Sequence, residues 1–265
     1  MSGAAFAQRL AGGERIDEPV ALVVAHADDE TLWAGAALPR LAHLTLIHIT
    51  DSAPLDMGDA SRLGFETRDA YALARRDELD RALQCLEAAP KRLTFDIPDQ
   101  QAIERVSELS DRLTRDLTGM AAVLTHPYEG GHPDHDTAAL AVRIASKRIA
   151  ASTGKAPALV EFACYPTVAG ERRFGEFWPD PHCPEETRPL SRTDRDRVER
   201  AIAAHATQAA VIGAWRPSVE RWRAAPDYDF TAPPPPGESL YDRFGWALTS
   251  ARWRACAAQE LARWA

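Results

Sequence analysis

A histidine and three consecutive acidic residues stand directly behind a short apolar run, VALVVA, in this sequence. The segment AHADDETLWAG, residues 25–35, carries these four side chains: His26, Asp28, Asp29 and Glu30. Like charges repel one another and carboxylates are costly to remove from water, so this position needs compensating positive charge. A bound divalent cation is the compensation that a mixture of imidazole and carboxylate groups favours.

A second polar cluster, THPYEGGHPDHDTAA at residues 125–139, follows the apolar run AAVLTH at residues 121–126. In open α/β sheets the ligand crevice lies at the carboxyl ends of the strands, so we expect the two clusters to converge. Two histidines and one carboxylate with an open position are typical of a catalytic metal, whereas structural zinc prefers closed, cysteine-rich sets. None of the four cysteines lies in either cluster.

Each of these residues also has a simpler interpretation when it is taken alone. Asp28 or Asp29 could cap the helix that begins at ETLWAG, and His135 could be a surface residue. The presence of two clusters rich in His and Asp, each after a strand, favours the metal site.

The elements that must position these clusters alternate along the chain. Short β-rich runs predict strands at 20–25, 44–50, 92–97, 121–126 and 158–165. Stretches of helical character lie at 30–38, 67–89, 100–117, 135–152, 192–215 and 240–264. This alternation predicts an α/β fold, with a mostly parallel sheet flanked by helices and an active site at the strand carboxyl ends.

We interpret residues 1–265 as a single Rossmann-like domain, because the length and the 45% hydrophobic content suffice for one large core. Residues 214–265 are expected to form a helical extension that packs on the body. The Pro-rich segments 165–189 and 223–239 are expected to be irregular surface loops.

The composition excludes some classes of partner. A formal net charge of −8 without a run of Lys and Arg argues against nucleic acid. The four cysteines lie far apart, which fits a reduced compartment. No segment has the length of a signal peptide or of a transmembrane helix, so we expect a cytoplasmic protein. The sequence also allows the protein to form a homo-oligomer.

Two motifs resemble a known family. AHADDE is similar to the A-H-P-D-D-E motif of the LmbE/PIG-L family of zinc-dependent de-N-acetylases, and GHPDHDTAA is similar to its G-H-P-D-H segment. RRDELDRAL resembles an R-x-x-E element of that family, and AHATQ resembles its later H-x-x-Q. The resemblance covers residues 18–213. Ala27 stands where the family usually has proline, which affects the stiffness of the turn and not the ligands.

The resemblance implies roles for the residues that match the motifs. His26, Asp29 and His135 would bind one zinc ion per chain, and Asp28 would be the general base. His132 would be the charged group beside the developing oxyanion.

The remaining roles come from the same resemblance. Asp134 would orient His132, and Arg75 would contact the substrate. The implied activity is that of a metal-dependent amide hydrolase with a Rossmann-like fold. Such an enzyme removes the acetyl group from an N-acetylglucosamine-type sugar or conjugate and releases acetate and a free amine. The expected partner is therefore a small N-acetylated sugar or glycoconjugate, which the sequence does not identify further.

Two other functions are considered. A site of two histidines and one carboxylate is also typical of non-haem iron oxygenases, although those enzymes usually use all-β sandwiches. A sugar-binding module that keeps a metal without turnover is the other alternative. The presence of Asp28 and His132 argues against it, because a pure binder needs neither a base nor an oxyanion partner.

Overall fold

A computed structural model describes residues 1–168, 171–235, 237 and 239–264. No helix within these residues is long and apolar enough to cross a membrane. Each of the two expected loops is described only in part, because residues 169, 170, 236 and 238 lie outside the described residues. Residue 265 of the predicted domain lies outside them as well.

The strands of the described chain form one large mixed sheet and one short pair. They are β1 Ile16–Val24, β2 Leu41–His48, β3 Lys91–Thr94, β4 Ala122–Thr125, β5 Ala158–Phe162, β6 Thr167–Val168, β7 Glu171–Arg172, β8 Glu186–Pro189 and β9 Val219–Ala224. The large sheet has the order β3-β2-β1-β4-β5-β9-β8 within the described residues, and β6 pairs with β7. The first five strands pair in parallel, and β9 is antiparallel to both β5 and β8. The predicted α/β class with a mostly parallel sheet is confirmed.

Helices cover both faces of this sheet. In the described residues they are α1 Gly3–Ala11, α2 Asp29–Ala34, α3 Gly58–Arg62, α4 Arg68–Cys85, α5 Val106–Asp116, α6 Pro133–Thr153, α7 Arg192–Ala204, α8 Ala209–Ile212, α9 Leu240–Arg243 and α10 Ser250–Ala262. Residues of α1, α4 and α7 share one hydrophobic core, and residues of α5, α6 and α10 share the other.

Strand β1 separates these two cores. Val20, Leu22 and Val24 point into the core with α4, whereas Ala21 and Val23 point into the core with α6. Successive side chains of a strand alternate between faces, so a strand covered on both sides needs apolar residues at every position. This is why VALVVA is a continuous apolar run.

Two of the predicted helices are interrupted. The stretch 192–215 ends its first helix at Ala204, and a 3-10 turn at Ala206–Gln208 precedes α8. The stretch 240–264 is divided into α9 and α10, with Gly245 between them at a φ of 66°. Glycine adopts this left-handed conformation without steric cost, and it ends the first helical segment there.

The strand order creates a crevice between β1 and β4. The chain leaves β1 toward β2 on one side of the sheet and leaves β4 toward β5 on the other. This reversal is the topological switch point at which α/β sheets bind ligands. Residues 25–35 follow β1 there, and residues 126–135 lead from β4 into α6.

The C-terminal helix α10 holds the start of α6. The indole Nε1 of Trp253 donates hydrogen bonds to Thr137 Oγ1 at 2.9 Å and to the Pro133 carbonyl oxygen at 3.1 Å. Trp253 is fully buried. The first turn of α6, which carries His135, is therefore fixed from the C-terminal end of the chain.

Replacement of this indole should destabilise the protein. We expect Trp253→Ala to lower the free energy of unfolding by about 3 to 5 kcal/mol, because it creates a cavity and removes two buried hydrogen bonds. The matched control is Trp264→Ala, since Trp264 is 47% exposed and should cost at most about 1 kcal/mol. Urea unfolding followed by circular dichroism measures both. Equal losses in the two variants would contradict an anchoring role for Trp253.

Candidate active site

Three predicted metal ligands meet at the crevice. His26 lies at the end of β1, Asp29 begins α2, and His135 lies in the first turn of α6. The distance from Asp29 Oδ2 to His26 Nδ1 is 3.5 Å, and Asp29 Oδ1 is 3.3 Å from His135 Nε2. The potential ligand atoms of all three residues lie within 4.8 Å of one another. Metal–ligand bonds of about 2.0 to 2.2 Å place donor atoms at such separations.

The surroundings of this trio fit a divalent cation. The Nδ1 atom of His135 is buried and has no hydrogen-bond partner in the described part of the chain. Asp29 Oδ1 accepts a hydrogen bond from Trp33 Nε1 at 3.3 Å, and the His26 backbone N–H donates to Asp29 Oδ2 at 2.8 Å. A buried, mixed nitrogen and oxygen donor set matches zinc chemistry.

The charges around the three proposed ligands favour the ionised form of Asp29. Burial raises the pKa of Asp29, but the adjacent His135 imidazole opposes this effect, and the pKa lies well below the ordinary value. His126 lies under His135, with ring centroids 3.8 Å apart, and its Nε2 accepts the Ala25 backbone N–H at 3.1 Å. Burial and the neighbouring His135 lower the pKa of His126 to about 3, so this ring is neutral.

Asp28, the predicted base, is paired with Arg75. Asp28 Oδ2 is 3.1 Å from Arg75 Nη2, and both side chains are buried. Burial raises the pKa of Asp28, and the Arg75 charge opposes that rise. Arg75 also donates to the carbonyl oxygens of Ala27 at 3.0 Å and Ser52 at 3.2 Å. Although Arg75 lines the cavity, its guanidinium also joins the loops after β1 and β2.

His132 and Asp134 differ in geometry from what the motif implied. The Asp134 backbone N–H donates to His132 Nδ1 at 3.2 Å, which leaves Nε2 as the nitrogen that carries a proton. Burial and the neighbouring His26 lower the pKa of His132 well below its ordinary value.

The Asp134 carboxylate is directed away from His132. Its Oδ2 lies 4.0 Å from His132 Nδ1, and its two oxygens accept the backbone N–H groups of Gln100 at 2.6 Å and Ala102 at 3.2 Å. The expected orienting contact is thus replaced by an anchor for the loop that follows β3.

Asp99, on that loop, is a site residue that the sequence reasoning missed. Its Oδ1 is 3.1 Å from His26 Nε2 and 3.5 Å from His132 Nε2. Burial opposes ionisation of Asp99, but His26 and His132 hold its pKa below the ordinary value. The available signal was its position after the β3 strand, on the same edge of the sheet as the two motifs.

Glu30, the last acidic residue of the first motif, points away from the cavity. Its Oε2 is 3.1 Å from His48 Nε2, and its Oε1 accepts a hydrogen bond from Thr31 Oγ1 at 2.6 Å. Thr31 Oγ1 also lies 3.2 Å from His205 Nε2. These buried side chains connect α2 to the end of β2 and to the end of α7. Glu30 therefore stabilises the loop after β1 and does not line the cavity.

An open cavity of about 210 Å³ adjoins the metal trio of His26, Asp29 and His135. One wall is aromatic: the Tyr165 ring lies 5.4 Å from His135, and Trp246 makes an edge contact with His132 at 4.9 Å. Tyr165 also packs against Trp33 and Phe174, at centroid distances of 5.9 Å and 5.6 Å. Trp246 therefore borders the cavity.

Comparison with solved structures shows related folds. A triple mutant of the deacetylase Orf2 from the teicoplanin pathway shares 17% identity at a TM-score of 0.59, covering 80% of this chain and 99% of that one. The A40926 pseudoaglycone deacetylase Dbv21 shares 17% identity at a TM-score of 0.57, with 78% and 96% coverage. The zinc-inhibited form of teicoplanin deacetylase Orf2 shares 13% at 0.56, with 79% and 100% coverage.

Comparison of the sequence with family models and with curated proteins gives one partial match. No curated protein matches this chain. The family model described as PIG-L, GlcNAc-PI de-N-acetylase, matches residues 21–146, which include both motifs and the proposed metal trio. This match over residues 21–146 agrees with the family that the two motifs resemble.

Proposed function

We propose that this protein is a zinc-dependent hydrolase that removes the acetyl group from an N-acetylglucosamine-type sugar or conjugate. The observation that carries the proposal is the buried trio of His26, Asp29 and His135 beside Asp28 and His132, at the switch point of the sheet. The PIG-L match over residues 21–146 supports the same reaction.

The trio would hold one zinc ion per chain. The chemistry that zinc supplies when bound at such a site is Lewis-acid polarisation of the amide carbonyl and activation of the attacking water. The protein's own contribution begins with Asp29, whose carboxylate is kept ionised beside His135.

Asp28 is suited to move the proton. It is next to a proposed ligand in sequence, and Arg75 holds its Oδ2 while burial favours its protonated form. A carboxylate in this environment accepts the proton of the attacking water and returns it to the leaving amine. The Arg75 contact fixes the orientation of the base between these two transfers.

His132 would donate a hydrogen bond to the oxyanion. Because its Nδ1 accepts the Asp134 backbone N–H, its Nε2–H is the group available for donation. A neutral donor in a desolvated position still stabilises negative charge that develops on the carbonyl oxygen.

The cavity suits a sugar of modest size. Its volume is about 210 Å³, and polar and aromatic side chains line it together. The rings of Tyr165 and Trp246 offer apolar faces for the sugar ring, and Gln208 adds a polar side chain to the lining. The α/β fold and the family match favour this reaction over an iron oxygenase, and Asp28 beside the trio favours turnover over binding alone.

The function and its metal dependence can be tested together. Zinc-loaded protein should release acetate from N-acetylglucosamine, its glycosides or N-acetylglucosaminyl conjugates, and not from glucosides that lack the acetamido group. Chelation or His135→Ala should abolish both bound metal and acetate release, because either removes the centre that polarises the carbonyl. His43→Ala, an exposed histidine on β2, is the control. Metal content by elemental analysis that is unchanged in His135→Ala would contradict the assignment.

Removal of the proposed base should separate turnover from metal binding. We expect Asp28→Asn to keep its metal and to lose about a hundredfold or more in kcat, the scale of a general base. Steady-state kinetics and elemental analysis measure the two properties. A parallel loss of metal and activity would instead identify Asp28 as a ligand.

Removal of the oxyanion donor should give a different kinetic result from removal of a ligand. We expect His132→Ala to retain zinc and to lower kcat by about a hundredfold to a thousandfold, the cost of one such donor. The same measurements apply, with His182→Ala as the control because His182 is exposed. Loss of the metal in His132→Ala would place this histidine among the ligands.

A further inference from the structure

Arg172 lines the cavity beside the metal trio and lies between two aromatic side chains. It belongs to strand β7, and it is exposed to solvent. Its guanidinium carbon lies 5.2 Å from the centre of the Phe174 ring and 5.8 Å from the centre of the Phe244 ring. A cation within about 6 Å of an aromatic face is attracted to the ring. Both rings therefore hold the guanidinium at the cavity.

One aromatic wall leads from Arg172 to the metal trio. Phe174 packs against Tyr165 with ring centroids 5.6 Å apart, and the Tyr165 ring lies 5.4 Å from His135. Two aromatic rings thus lie between the guanidinium and a proposed metal ligand.

A second aromatic wall leads from Arg172 to the proposed oxyanion donor. Phe244 lies 5.8 Å from Trp246, which contacts His132 at 4.9 Å. Phe244 is 52% exposed, so this end of the cavity opens to solvent. The two walls place the histidines at one end of the cavity and the guanidinium of Arg172 at the other.

Main-chain contacts fix the strand that carries Arg172. Arg172 pairs with Thr167 in the antiparallel ladder of β6 and β7. The next backbone N–H, that of Arg173, donates to the Pro166 carbonyl oxygen at 2.9 Å. The position of the guanidinium therefore depends on ordered backbone as well as on its contacts with the two rings.

The charge of Arg172 has no carboxylate partner among the described residues. The other arginine of the cavity, Arg75, forms an ion pair with Asp28 at 3.1 Å. Asp59, which also lines the cavity, forms an ion pair with Arg62. A guanidinium offers a planar set of N–H donors that matches the oxygens of a carboxylate or a phosphate. Arg172 can therefore give its charge to a ligand without breaking an ion pair of the protein.

We propose that Arg172 binds an anionic group of the substrate, a carboxylate or a phosphate, on the part of the molecule that lies away from the acetamido group. The substrate is then a negatively charged conjugate of an N-acetylated sugar. The N-acetylated part of this assignment rests on the proposed function. The anion contact rests on the position and the free charge of Arg172.

The test compares glycosides that differ in charge. One pair is para-carboxyphenyl and para-carbamoylphenyl N-acetyl-β-glucosaminide, which have nearly the same shape. The other pair is N-acetylglucosamine-1-phosphate and methyl N-acetyl-β-glucosaminide. Isothermal titration calorimetry measures their affinities after removal of metal by chelation, so that no acetate is released. The wild type should bind the anion of at least one pair about tenfold more tightly, the scale of one charge-assisted hydrogen bond. The pair that shows the preference identifies the kind of anion.

Substitution of Arg172 should remove this preference. We expect Arg172→Gln to bind both members of each pair equally, and to bind the neutral members as the wild type does. Arg173→Gln is the matched control, because Arg173 lies on the same hairpin, is 47% exposed and already pairs with Glu171 at 3.5 Å. The wild-type preference should also decrease at about 1 M salt, which screens charges beyond about 3 Å.

Two results would overturn the proposal. In the first, the wild type binds both members of each pair equally, which shows without any variant that no anion is recognised. In the second, Arg172→Gln keeps the full preference, which places the anion on another residue.

Acetate release by the zinc-loaded protein separates this proposal from the proposed function. If the anionic glycosides bind through Arg172 and none of the four compounds releases acetate, the proposed function fails and the anion site stands. If acetate is released while neither the wild type nor Arg172→Gln distinguishes the members of a pair, the anion site fails and the proposed function stands.

Discussion

The balance of charge at the end of β1 is the constraint on which the rest of the site depends. Buried carboxylates are stable only when each has a specific partner. Asp28 has the guanidinium of Arg75, Asp29 has His135, and Asp134 has two backbone N–H groups. These partners come from separate segments of the chain, so the loops after β1, β2 and β3 and the start of α6 fix one another.

The parts of the fold that the sequence predicted are those whose burial is uniform. β1 is covered on both faces, and its apolar run is visible without any alignment. The sequence analysis did not predict β9, because its sequence, VERWRA, contains charges. These charges are nevertheless buried: Glu220 accepts the N–H groups of Ala36 and Ala37. Arg223 forms an ion pair with Glu161 at 3.0 Å. Buried charges that are neutralised by distant partners leave no periodic pattern, so such a strand resembles a polar loop.

In the site as well, some residues could be predicted from the sequence and others could not. The two motifs could be located because each follows an apolar strand, and strand ends meet at one edge of a sheet. Asp99 also follows a strand at this edge, but it lies in the polar stretch DIPDQQ without a histidine beside it, and its position depends on Asp134, 35 residues along. The direction of the Asp134 carboxylate was likewise not predictable, because sequence proximity to His132 says nothing about which side of the helix terminus a side chain faces.

Trp33 gives the protein a built-in spectroscopic reporter. Its indole Nε1 donates to Asp29 Oδ1 at 3.3 Å, and the ring is only 4% exposed. Indole fluorescence depends on the electric field along the ring, and that field changes when an ion neutralises the carboxylate at its nitrogen. The emission of Trp33 should therefore follow the occupancy of the metal trio, so cation binding can be titrated in the unlabelled protein without a substrate.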